Sequence, residues 1–223
     1  MDKEFINFRN VDLSDICDVL TKIEKSFNIK LDNQGLEKAN TFKGLCELVI
    51  SKIDLEHEET CTTQHAFYML RNAIANASGI NKYDISTHTK LCKLFPKEGR
   101  LEAISKVEDE LGFRINLLKP RQWVVTIFSL TLIASGIVCF FNLFAGLAGL
   151  LSSAIALKLA GKFGKEMHLK TVGDLACKIS RESYLKVRRN NTINKTEVEQ
   201  KLRELFVNDL ELEPVTLTRR TSF

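Results

Sequence analysis

The sequence predicts an all-α protein with a two-helix transmembrane hairpin at its centre. Three observations point there. The 223 residues include only three prolines and eleven glycines, so few positions interrupt a helix. Apolar residues recur at a 3.6-residue period over long stretches, as amphipathic helices require. From Trp123 to Leu157 runs "WVVTIFSLTLIASGIVCFFNLFAGLAGLLSSAIAL", 35 residues without a charge.

The hairpin comes first because it interrupts everything else. One spanning helix needs roughly 20 apolar residues, so the run is too long for one pass and long enough for two short ones. Asn142 is its only strongly polar residue. The arms are predicted over Trp123–Phe141 and Leu143–Leu157, with the second extending toward Phe163 as Lys158 and Lys162 snorkel. Lys119 and Arg121 precede the run, and Lys158, Lys162 and Lys165 follow it. Basic residues on both flanks place both ends, and with them both termini, on the cytoplasmic side of a two-pass integral membrane protein. Trp123 marks the interface, and Ala145, Gly149 and Ser153 supply a small-residue seam. The other reading of the run is a buried core hairpin, which rarely goes so long without a polar face.

Five amphipathic helices flank it. The first, about 14–27, aligns Ile16, Val19, Leu20, Ile23 and Phe27. The second, about 41–53, aligns Phe42, Leu45, Cys46, Val49, Ile50 and Ile53 behind Thr41 as N-cap. The third, about 65–78, uses Phe67, Leu70 and Ile74; the fourth, about 99–112, uses Leu101, Ile104 and Leu111. The fifth, about 197–210, carries Val198, Leu202, Leu205, Phe206 and Leu210 behind a Thr196–Glu199 capping box. A short further helix starts with a second box at Thr171. Helices this short must pack together to persist.

Composition excludes little else. Basic residues exceed acidic ones by four, which calls for no nucleic acid. Six cysteines stand apart without a CxxC pair, so they are predicted as reduced, mostly buried hydrophobes. "MDKEFINFRN" is charged throughout and does not read as a signal peptide. His57, His65, His88 and His168 are scattered; His65 and His168 are predicted at the surface. Neither P-loop, dinucleotide fingerprint nor HExxH occurs. "RESYLKVRRNNTINK" (181–195) reads as a solvated basic connector, with anionic-lipid contact as the alternative.

Two segments repeat. "IEKSFNIKLDNQGLEKANTFKGLCELVISKI" (23–53) matches "VEDELGFRIN" (107–116) at its start and "MHLKTVGDLACKI" (167–179) at its end, so the chain looks like two copies of one unit, the second split by the hairpin. Helix, "FNIKLD", an eight-residue connection and a Thr-capped helix together resemble the second half of an acyl carrier protein, and the match over 5–53 needs no gap. "EVEQKLRELFVNDLELEPVTLTRRTSF" (197–223) is similar to that family's helix I and first loop. The resemblance implies acyl-carrier-like bundles, one of them circularly permuted, with Phe223 near Phe5. The units are carrier-like helices II–IV over 1–55, the first half of a second unit over 56–118, the hairpin over 119–165, the second unit's last helix over 166–185, a basic linker over 186–196, and helix I with its loop over 197–223, packing on 1–55.

The departure from the family concerns its chemistry. Carriers hold phosphopantetheine on a serine at the start of helix II; here that position is Leu13, and in the second unit Lys97. Ser14 lies one residue on, where a helical side chain is turned by roughly 100°, and reads as a helix cap. Residues 1–53 hold nine acidic and eight basic side chains, which weakens the acidic face that carriers present to partner enzymes. The expectation is a membrane-anchored, non-enzymatic docking or scaffold protein with no cofactor, metal or catalytic residue. The resemblance implies lipid or polyketide biosynthesis enzymes as partners beside the bilayer. The alternatives are a membrane-tethered carrier modified on Ser14, and a sensor that forms homo-oligomers through the hairpin.

Overall fold

The computed structural model describes residues 12–39, 41–162, 164, 166–188, 192–210 and 212. In chain order the elements are α1 (Leu13–Phe27), α2 (Asn33–Lys38), α3 (Phe42–Ser51), β1 (Glu56–His57), α4 (Thr62–Ser78), a 3-10 turn (Lys82–Asp84), α5 (Leu91–Leu94), α6 (Arg100–Leu111), β2 (Leu118–Lys119), α7 (Gln122–Val138), α8 (Leu143–Lys162), β3 (Glu166–Met167), α9 (Val172–Glu182), α10 (Tyr184–Val187), β4 (Thr192–Ile193) and α11 (Lys195–Asp209). The protein is predominantly helical, and its strands are two-residue pairs. They divide into two compact units, one from residues 1–69 and 176–223, the other from 70–175.

In the first unit α11 packs on α1 and α3. Each helix offers a stripe at helical spacing: Val19, Ile23 and Phe27 from α1, Phe42, Leu45, Cys46 and Val49 from α3, and Val198, Leu202, Leu205 and Phe206 from α11. Burying side chains of this size contributes about 1.5–3 kcal/mol each. The Phe42 and Phe206 rings meet edge to face, centroids 6.0 Å apart, a favoured aromatic geometry. Tyr184 from α10 lies against Phe27, centroids 5.0 Å apart. Ser26 fixes that contact: its buried hydroxyl donates to the Arg181 carbonyl at 2.6 Å and accepts from the Tyr184 amide at 3.0 Å. β1 pairs in parallel with β4, Glu56 beside Thr192 and His57 beside Ile193.

The caps explain where these helices begin. Asp12, not Ser14, caps α1, its carboxylate accepting from the Ser14 amide at 3.0 Å. Thr41 caps α3 through the Gly44 amide. Asn194, rather than the Thr196–Glu199 box, caps α11 by accepting from the amides of Thr196 and Glu197. The connection after "FNIKLD" also holds a helix: Asp32 accepts from the Gly35 amide at 3.0 Å and starts α2. Six residues with a single large apolar side chain, Leu36, carry no readable period.

The second unit shows the sequence repeat as local geometry. α1 ends with Asn28 in the left-handed region, φ 47°, and α6 ends with Gly112 at φ 73°. In each case a glutamate four residues earlier reaches past the helix end: Glu24 accepts from the Leu31 amide and Glu108 from the Ile115 amide, both at 2.8 Å. Beyond Gly112 an open cleft of about 680 Å³ runs along α6, bordered by Ile104, Glu108, Phe113 and Leu117. The Thr171 box forms as read, Thr171 and Asp174 each accepting from the other's amide at 3.1 and 3.0 Å. The expected contact of Phe5 with Phe223 lies outside the described residues.

Because α11 supplies four fully buried side chains to a small core, Leu202→Ala should cost roughly 2–5 kcal/mol of the first unit's stability. Chemical denaturation followed by circular dichroism measures it; a loss no larger than that of an exposed α11 alanine variant would contradict this packing.

Candidate functional site

The arms of the hairpin pack tightly on one another. Close approach comes from Gly146, Gly149 and Ser153 on α8. A Cβ added at Gly146 would collide with Cys139, and one at Gly149 with Ser135. Ser153 is buried, its hydroxyl 3.1 Å from that of Thr131 across the seam. Ala145, expected in the seam, is exposed, and Gly146 takes its place. The turn occupies Cys139–Asn142, so α7 ends earlier than the Phe141 expected from sequence.

Many polar groups of the hairpin are bonded within it. The hydroxyls of Thr126, Ser135 and Ser152 donate to the carbonyls of Gln122, Thr131 and Gly149. In the turn, the amides of Cys139, Phe140, Phe141 and Asn142 donate to the carbonyls of Ser135, Ile137, Val138 and Val138. The Asn142 side chain accepts from the Ala145 amide at 3.2 Å. The outer faces are mostly apolar: fourteen of the seventeen large hydrophobic side chains exposed among the described residues belong to this hairpin. The most exposed cluster at the tip, Phe140 at 90%, Phe141 at 87% and Phe144 at 86%.

The base is polar. β2 pairs antiparallel with β3, and Arg121 donates to the Glu166 carboxylate at 2.8 Å. Trp123 sits just above, 59% exposed. Among the described residues no helix is long and apolar enough to cross a membrane. α7 has 17 residues and α8 has 20, about 25 and 30 Å at 1.5 Å per residue, and Lys158 ends the uncharged part of α8 at Leu157. A hydrocarbon core is about 30 Å thick.

The other positions singled out in the sequence do not converge. Leu13 is 78% exposed at the first turn of α1, and Ser14 beside it is exposed and not used as the cap. Lys97 is exposed in the turn before α6. His57, His88 and His168 are exposed. His65 is half-buried rather than at the surface, its Nδ1 donating to the Val187 carbonyl. Among the described residues no three His, Cys, Asp or Glu side chains could hold a metal. The six cysteines form no disulfide; Cys46 is buried, but Cys17, Cys61, Cys92 and Cys177 are exposed, against the expectation of mostly buried thiols.

The basic connector holds what sequence reasoning missed. Arg188, read as solvated or lipid-facing, is only 4% exposed. Its guanidinium donates to the carbonyls of Glu58 and Thr60 and, at 3.1 Å, to the Thr62 hydroxyl. Its counter-charge is Glu197, 3.7 Å away, which accepts from the Thr62 amide at 3.1 Å and the Thr62 hydroxyl at 2.5 Å. The Tyr184 hydroxyl accepts from the Asn194 amide at 3.1 Å, and burial pushes its pKa above the ordinary tyrosine value. The network joins β1, the start of α4, α10 and α11 within the first unit. Its charges are answered internally, so it braces the fold. The apolar residues Tyr184, Leu185, Val187 and Ile193 were the sequence signal that this stretch is not a free linker.

Removing Glu197 strands a buried guanidinium, so Glu197→Ala should cost about 3–5 kcal/mol. Glu199→Ala, which breaks the half-exposed pair with Arg203, should cost no more than about 1 kcal/mol. Urea unfolding of both variants gives the comparison. Since the folded Tyr184 pKa lies above the unfolded one, its contribution is whole below about pH 10 and is lost as pH rises through the folded value. Tyr184→Phe should flatten that alkaline fall in unfolding midpoints; an unchanged slope would contradict the assignment.

Compared with known proteins, this chain matches no family model, no curated protein and no solved structure.

Proposed function

We propose that the chain is a membrane-anchored, non-catalytic docking or scaffold protein of acyl-carrier-like design that lacks the phosphopantetheine serine. The observation that carries the reading is the hairpin. A helical pair without charge from Trp123 to Leu157, with large apolar side chains exposed along both arms and hydroxyls bonded back to its own carbonyls, suits hydrocarbon better than water. Both its ends are held together at β2 and β3, and its basic flanks favour the cytoplasmic side for both by the positive-inside tendency.

The carrier-like part is supported by the order and lengths of the helices in the first unit. α11, α1, α2 and α3 follow the long, long, short, medium sequence of a carrier whose first helix has been moved to the other end of the chain. Leu13, where the family places its serine, offers no nucleophile. The bundles then act as surfaces that hold lipid or polyketide biosynthesis enzymes near the bilayer, a step that rests on the family resemblance. An oligomerising sensor loses its main support, because Gly149 and Ser153 are consumed by packing inside the hairpin.

One observation favours a second reading, a working carrier modified on Ser14: Asp12 does the capping, which leaves an exposed hydroxyl at the head of α1. Two measurements decide. The full chain should stay in the membrane pellet through alkaline carbonate, and the double variant Leu130→Glu, Ile133→Glu should be released; release of the unaltered chain would end the anchoring proposal. Intact mass after co-expression with a phosphopantetheinyl transferase should show no added arm. An arm-sized increment that disappears in Ser14→Ala would replace the scaffold with the carrier.

A further inference from the structure

We infer that the hairpin is re-entrant: it enters the bilayer from one side and its phenylalanine tip ends inside the hydrocarbon, short of the far surface. The inference rests on the anchoring proposed above and fixes its topology, where the sequence led to the expectation of two full passes.

Four features place the tip in lipid. The first is reach. α7 is 17 residues and α8 20 residues long, about 25 and 30 Å without tilt; a lean of about 20°, the average in bilayers, shortens both, and with the two ends joined at the base the shorter arm sets the reach against a core of about 30 Å. The second is the chemistry of the tip. Residues 139–144 read "CFFNLF", and their three phenylalanines are nearly fully exposed. Aromatic residues at a water interface are Trp and Tyr, whose polar ends stay wet; Phe has none. Trp123 stands at the base instead, beside Arg121 and the pair of two-residue strands.

The third is the backbone. A turn in hydrocarbon must satisfy its amides from within the protein, since no water reaches them. The amides from Cys139 to Asn142 all donate to carbonyls one turn back. The fourth is Asn142, the one strongly polar side chain of the run. It is turned onto the Ala145 amide as an N-cap, while the Asn142 carbonyl accepts from the Gly146 amide at 3.0 Å. The charged residues lie at the base end of the arms and none at the tip. A second pass would have to bring this uncharged, internally bonded turn out into water.

The test uses the full chain in inverted and right-side-out membrane vesicles, treated with a membrane-impermeant maleimide and read peptide by peptide by mass spectrometry. The exposed native Cys61 and Cys92 serve as internal reporters of sidedness. Gln122→Cys at the base should label from the same side as Cys61 without detergent. Phe141→Cys and Phe144→Cys should label from neither side until detergent is added. Two tip positions are used so that one poorly inserting variant does not decide the matter. Labelling of the tip from the side opposite Cys61 would overturn the re-entrant topology and leave the anchor standing. Labelling of the tip from the same side as Cys61 would overturn both.

Discussion

The first unit depends on one packing event, the seating of α11 across α1 and α3. Neither α1 nor α3 can bury its stripe alone. Val19, Ile23 and Phe27 need a partner surface, and Phe42 needs the edge of Phe206. Once α11 is in place it also brings Glu197 beneath Arg188 and Thr62. That places the buried charges where each has a counterpart, so the apolar seam and the polar brace form together. Loss of either leaves the other without its geometry.

The hairpin solves a different problem with a similar economy. Its inner seam uses glycine and hydroxyl positions to bring the two backbones close, and its outer surface is given over to Leu, Ile and Phe. In water such a surface would be a liability. In lipid the same arrangement is stable because the association of the arms relies on close contact rather than on exclusion of water. The short pairing of β2 with β3 and the Arg121–Glu166 contact close the base of the hairpin, where its apolar surface gives way to polar residues.

Much of this was legible in the sequence, wherever a helix had both a clear period and a side-chain cap. Thr41 and Thr171 start their helices as read, and the buried stripes of α1, α3 and α11 contain the apolar residues picked out from spacing. What escaped was either too short or too distant. α2 has too few apolar residues to show a period, and β1 pairs with a strand more than a hundred residues away. Asp12 and Asn194 precede residues that cap equally well on paper, and only geometry chooses between them. In the hairpin, Ala145 and Gly146 are both small, and which one faces Cys139 depends on where the turn ends. Arg188 was misread because one arginine among several basic residues gives no sign that Glu197, one helix start away, will meet it.

The seating of α11 also has a kinetic meaning during synthesis. Phe27 leaves the ribosome well before Lys195, on the order of ten to thirty seconds earlier at ordinary elongation rates. For that interval the stripes of α1 and α3 have no partner, and the uncharged run of the hairpin emerges while they wait. Exposed apolar surface of this kind is prone to aggregate until it is covered. Closure of the first unit therefore waits for α11, and the helices made first complete their core only after the hairpin has been synthesised.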